Sequence, residues 1–125
     1  MNRTFIRIDN FLSKEECNKL IEKFKQSKDS VLKYRNTFTL KIKPDNCEIV
    51  MWPVDSYMKI HIDNGDKFSF FLYLNDDFEG GETVVEDITV KPKQGRIIIF
   101  SNGVMYHEVK QIKKNNRFML AGWYN

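Results

Sequence analysis

Cysteine is scarce in this chain. Cys17 and Cys47 are the only two among 125 residues, so there is no disulfide framework, and no Cys-x-x-Cys pair occurs. The stretch Met1–Arg7 lacks the apolar run of a signal peptide. The longest aliphatic and aromatic run, Ile97–Phe100, is far too short to span a membrane. Charge of one sign is not massed anywhere: the net charge is only +3 with the lysines scattered, which gives no strong signal for a nucleic-acid or membrane partner. Repeats, low-complexity segments and linkers are absent. The hydrophobic content of 42% and charged content of 30% exclude a disordered chain. The expectation is one domain over residues 1–125 in a reducing, cytoplasmic setting.

What is present is a change of texture along the chain. Phe5 to Asp9 alternates as a short strand. Ser13 and Glu16 then form a capping box, with Leu12 placed to staple onto Cys17. Cys17, Leu20, Ile21 and Phe24 recur at helical spacing, predicting one amphipathic helix over about 13–28. From residue 34 onward the pattern is β. Strand-like runs cover 34–42, 47–52, 57–63, 68–74, 83–85, 88–90, 96–100, 105–109 and 117–124, separated by turns at Lys43–Asn46, Asn64–Asp66 and Pro92–Gly95. Phe68 to Leu74 is almost wholly apolar, which predicts a strand buried on both faces. The fold class this implies is mainly β, a jelly roll or related double sheet behind one N-terminal amphipathic α-helix, with the core over about 34–125.

Histidine is as scarce as cysteine. His61 and His107 are the only two. Asp63 follows His61 at i+2, and in a strand these positions share a face. Two histidines and one carboxylate suit the facial triad of a non-haem Fe(II) site that keeps positions open for oxygen, provided His107 reaches back from its own segment. Zinc is another reading of the same residues, although no His-Glu-x-x-His motif accompanies them. So is a pair of structural histidines in half-buried strands.

The series His61-Ile62-Asp63, Tyr73-Leu74-Asn75, Gly80-Gly81-Glu82-Thr83, Lys91-Pro92-Lys93-Gln94-Gly95, Ile99-Phe100, His107-Glu108-Val109 and Arg117 running into Trp123 resembles the prolyl 4-hydroxylase-like branch of the 2-oxoglutarate- and Fe(II)-dependent dioxygenases. The lead-in Ile8–Cys17 resembles that family too. The resemblance implies a double-stranded β-helix with iron between its two sheets. It places His61, Asp63 and His107 as iron ligands and Arg117 as the clamp on the distal carboxylate of 2-oxoglutarate. A guanidinium suits that role because its fixed charge and planar fork match a carboxylate. Tyr73 matches a tyrosine that hydrogen-bonds the same carboxylate; Trp123 reads either as pocket lining or as plain core packing. On strand parity, Ser69, Phe71 and Tyr73 share one face, as do Arg117, Met119, Ala121 and Trp123.

The reaction so implied uses Fe(II), O2 and 2-oxoglutarate as co-substrate, with ascorbate as a supporting reductant. It hydroxylates an unactivated carbon and releases succinate and CO2. The implied partner is a protein or peptide carrying a prolyl or other target residue. The alternatives are a small-molecule or free amino-acid hydroxylase and a non-catalytic jelly-roll binding module. Oxidative dealkylation of nucleic acid is disfavoured, because Trp123 stands where such relatives carry a second arginine. The family often has a tyrosine some ten residues before the first iron histidine; here that neighbourhood reads Met51-Trp52-Pro53, so that contact is expected to be missing or altered. The segment Ser30–Asp45, with Arg35, Asn36 and Thr37, falls where the family closes a loop over substrate, and an ordinary edge strand is the competing reading. The short chain implies trimmed loops, which would suit a phage-encoded or bacterial protein.

Overall fold

The computed structural model describes residues 3–27, 31–33, 46–63 and 68–124. A six-stranded sheet carries β1 (Phe5–Ile8), β2 (Val31–Lys33), β3 (Asn46–Trp52), β5 (Phe68–Tyr73), β9 (Ile97–Ser101) and β12 (Arg117–Tyr124), in the order β1-β9-β5-β12-β3-β2. A four-stranded sheet carries β4 (Met58–His61), β7 (Thr83–Val85), β8 (Ile88–Val90) and β10 (His107–Val109), in the order β4-β10-β7-β8. A two-stranded ribbon joins β6 (Glu79–Gly80) to β11 (Ile112–Lys113). Every pairing among these strands is antiparallel. This is the mainly β jelly roll with one helix that the patterning predicts.

Helix α1 runs Lys14–Gln26 and starts as the sequence dictates: the Ser13 hydroxyl accepts from the Glu16 amide while the Glu16 carboxylate accepts from the Ser13 amide. Its buried face is Cys17, Leu20, Ile21 and Phe24. That face packs on Phe70, Leu72, Ile97 and Leu120 of the large sheet, with Phe24 edge-on to Phe118 at 5.8 Å. Each large apolar side chain so buried contributes on the order of 2 kcal/mol. Burial pushes the thiols up, Cys17 to about 11 and Cys47 to about 12, so both are inert at neutral pH.

β5 is buried on both faces, as its unbroken apolar run predicts. Phe70, Leu72 and Leu74 face the helix, while Phe71 and Tyr73 join Ile98, Phe100, Val85, Val90 and Met105 between the sheets. Gly95 fixes how the helix lead-in meets this strand. Its carbonyl accepts from the Phe11 amide at 2.8 Å and its own amide donates to the Tyr73 carbonyl at 2.9 Å. At φ +85° an added Cβ would stand 2.3 Å from the Leu12 carbonyl oxygen, so only glycine fits. Gly95→Ala is expected to cost about 3 kcal/mol or more, read as a lowered urea midpoint with an unchanged slope.

The structure differs from the patterning at three places. β4 ends at His61, so Asp63 lies beyond the strand rather than on its face. β10 begins only at His107, because Asn102 to Met105 form a turn. β2, β6 and β11, two or three residues each, are not among the runs the patterning predicts, and they are defined by their partners β3, β11 and β6. The predicted run 34–42, the turn at Asn64–Asp66 and the residues Arg35, Asn36 and Thr37 lie outside the described residues.

Candidate metal centre and anion pocket

His61 and His107 are directly opposite each other across the β4–β10 pair, which sets their rings on one face with centroids 4.2 Å apart. Asp63 returns from just past β4 to lie between them. Its Oδ1 is 3.1 Å from His61 Nε2 and its Oδ2 is 3.3 Å from His107 Nε2. The three donor atoms lie within 4.8 Å of one another. Parity along one strand, as the sequence suggests, is therefore not what unites them; cross-strand register is.

The outer nitrogens fix the tautomers. His61 Nδ1 lies 2.7 Å from the Lys59 carbonyl oxygen and His107 Nδ1 lies 3.3 Å from that of Met105. Carbonyls only accept, so each Nδ1 carries a proton and donates it, and in the neutral imidazole that tautomer leaves the lone pair on Nε2. In that neutral form both lone pairs face one carboxylate. The buried His107 Nε2 indeed makes no hydrogen bond, despite its 3.3 Å approach to Asp63. Lone pair against anion is repulsive, and a cation among the three relieves it. Burial holds the His107 imidazole below the usual histidine range, so it stays neutral at neutral pH and ready to ligate. Its ring rests on Phe100 at 4.8 Å and near Phe71 at 6.3 Å, in an apolar wall.

Arg117 is fully buried on the inner face of β12, where Gly81 leaves room for its stem: a Cβ there would be 3.3 Å from Arg117 Cδ and 2.8 Å from the Phe78 ring. Its Nη2 donates to Thr83 Oγ1 at 3.0 Å, and Tyr73 Oη lies 2.6 Å from the same oxygen. Two hydroxyls sharing one hydrogen bond leave one O–H still to donate. Arg117 Nε and Nη1 have no partner. Burial disfavours this cation, yet a guanidinium does not give up its proton. The pocket thus offers several unpaired donors and a fixed positive charge, the complement of a carboxylate. Thr83 lies two residues along β7 from Val85, which pairs directly with His107, so this pocket and the histidine pair are neighbours on one sheet.

Tyr73 and Arg117 come together as the resemblance implies. Trp123 is half-buried on the same face of β12, opposite Ser69, beyond the arginine pocket. Sequence reading missed two contributors. Thr83 is a buried hydroxyl on an inward strand position, a signal that could have been taken from parity. Trp52 pairs in register with Arg117 and sets its ring 5.1 Å from the guanidinium, with the Tyr73 ring at 5.2 Å. Among the described residues, no helix is long and apolar enough to cross a membrane.

Comparison with known proteins agrees with this architecture. The family described as the 2OG-Fe(II) oxygenase superfamily matches residues 30–125, and the chain belongs to it. Within it the chain is of the prolyl hydroxylase-like branch. Human prolyl 3-hydroxylase 2 is 34% identical over 98 residues, 72% of this chain, but the chain spans only 14% of that relative's length. Two solved structures share the fold. The viral collagen prolyl hydroxylase of Paramecium bursaria Chlorella virus-1, in its 2OG complex, superimposes with a TM-score of 0.77 at 19% identity, covering 95% of this chain and 93% of its own. The Pseudomonas putida prolyl-4-hydroxylase gives 0.76 at 16% identity, covering 97% and 91%.

Proposed function

We propose that the protein is a 2-oxoglutarate- and Fe(II)-dependent dioxygenase that hydroxylates a prolyl residue of a peptide or protein, releasing succinate and CO2. The observation that carries this reading is the pairing of a His61–Asp63–His107 donor set with a buried arginine whose guanidinium lacks an anion. His61 Nε2, His107 Nε2 and an Asp63 oxygen would hold the metal. Bound there, Fe(II) supplies the oxidising chemistry with O2 and 2-oxoglutarate, through the coordination positions that three protein ligands leave open.

The chain's own residues do the rest. The Lys59 and Met105 carbonyls hold both imidazoles in the ligating tautomer. Arg117, Thr83 and Tyr73 bind and orient the distal carboxylate of 2-oxoglutarate. Phe71, Phe100 and Met105 keep water from the inner wall. A prolyl substrate is supported by the names of the relatives. Carbons 3 and 4 of the ring both appear among those names, so the site of hydroxylation is read from product analysis. Ascorbate serves as reductant in the assay.

The test is anaerobic addition of Fe(II) and then 2-oxoglutarate, watching for the weak visible charge-transfer band of a chelated 2-oxo acid. Proline-rich peptides and free proline are then compared for succinate release and a 16-Da mass gain. A band together with peptide-dependent succinate supports the proposal. Free proline as the better substrate would make this a small-molecule hydroxylase. Absence of both iron binding and the band would reduce the chain to a jelly-roll scaffold.

A further inference from the structure

The geometry points to Asn75 as the positioning residue for Arg117, and so for the distal carboxylate of 2-oxoglutarate; this rests on the reading just proposed. Arg117 is the first residue of β12, and β5 stops at Tyr73, opposite Met119. The last backbone link between these strands runs from the Leu74 amide to the Phe118 carbonyl at 3.0 Å. Beyond it, on this side, Arg117 has no strand to lean on.

The Asn75 side chain takes over as the next rung. Its Oδ1 accepts from the Phe118 amide at 2.8 Å, and its Nδ2 donates to the Asn116 carbonyl at 2.9 Å. These two bonds grip the backbone on either side of Arg117. Nδ2 also donates to Asp77 Oδ1 at 2.6 Å, and Asn115 Nδ2 donates to the Asp77 carbonyl at 2.6 Å, which ties the same loop to the turn before β12. The grip matters because the guanidinium makes one directional bond, to Thr83, and otherwise lies against the Trp52 and Tyr73 rings. The Thr83 bond and the Trp52 and Tyr73 ring contacts can be made only from one backbone position, so a shift of the backbone at 117 would misplace the guanidinium. An amide is required at position 75 because one end must accept and the other donate. Asn75 is half-buried and outside both apolar clusters, so replacing it leaves the core intact.

The experiment compares 2-oxoglutarate with 2-oxobutyrate, which keeps the 2-oxo acid but lacks the distal carboxylate. Binding of each to the Fe(II)-loaded protein is measured anaerobically by calorimetry. In wild type, 2-oxoglutarate is expected to bind far better, and Arg117→Ala should erase that preference. Asn75→Ala is expected to weaken 2-oxoglutarate about tenfold or more through misplacement of the clamp, with 2-oxobutyrate and Fe(II) affinities unchanged. A general loosening of the fold would weaken both acids alike, and that result overturns the inference. Asn75→Asp keeps the acceptor for the Phe118 amide and loses the donor, so its loss should be smaller; it carries the test if Asn75→Ala does not fold. A full wild-type preference in both Asn75 variants, with Arg117→Ala defective, sinks the inference and spares the proposed function. No preference even in wild type means Arg117 is not the clamp, and both readings fall.

Discussion

Arg117→Met is expected to separate stability from function. Met fills much of the arginine's volume without its charge. The native guanidinium is fully buried with Nε and Nη1 unpaired, so in the ligand-free protein it is a net cost. Exchanging a buried, incompletely compensated charge for an apolar side chain has raised stability by about 1–4 kcal/mol in comparable cases. We expect a gain toward the lower half of that range, because the ring contacts with Trp52 and Tyr73 are lost with the charge. The melting temperature of the ligand-free variant should rise. Its 2-oxoglutarate affinity should fall about a hundredfold or more, the worth of a charge-assisted, two-point hydrogen bond in a dry pocket. Added 2-oxoglutarate should therefore stabilise the Fe(II)-loaded wild type and not the variant. An unchanged affinity would remove Arg117 from the site. A large fall in ligand-free stability would mean that the arginine is structural.

His107→Ala and His61→Ala should both abolish iron binding and turnover but differ in what they do to the fold. Losing one of three protein ligands is expected to weaken Fe(II) by about a hundredfold or more. His107 is also core, packed on Phe100 and near Phe71. Its truncation leaves a cavity and should cost about 2–4 kcal/mol of ligand-free stability. His61 is partly exposed and leaves no closed cavity when truncated, so its cost should stay below about 1 kcal/mol. Asp63→Asn tests the electrostatics alone: it keeps the shape, removes the anion, and should lose iron while holding or raising ligand-free stability. Iron titration followed by thermal melts of the metal-free proteins reads all three. Undiminished Fe(II) binding in any of them would take that residue out of the ligand set.

Some of this was legible because it is local. The capping box at Ser13 and Glu16, the 3.6-residue spacing of Cys17 to Phe24 and the doubly buried run of β5 each follow from neighbours in the chain. β7, β8 and β12 fall where the sequence places strand-like runs. The candidate site was legible as residue types, since a chain with only two histidines leaves little choice. Its geometry was not. Asp63 is brought to His61 by the bend after β4, and His107 is brought there by the β4–β10 register across some forty-five residues. Trp52 against Arg117 is likewise a consequence of the β3–β12 pairing.

The sequence by itself determined the helix and its cap, the all-β remainder, the scarcity of candidate ligands and, through the ordered motifs, the family. Tertiary structure alone decided that the two Nε2 atoms converge on one carboxylate, that Arg117 lies buried with nitrogens unpaired, and that Asn75 continues the ladder past the end of β5. The physical reason is that periodicity is written along the chain, whereas register is set by which strands pair. A donor set, an unpaired charge and a borrowed rung exist only once that pairing has fixed their neighbours.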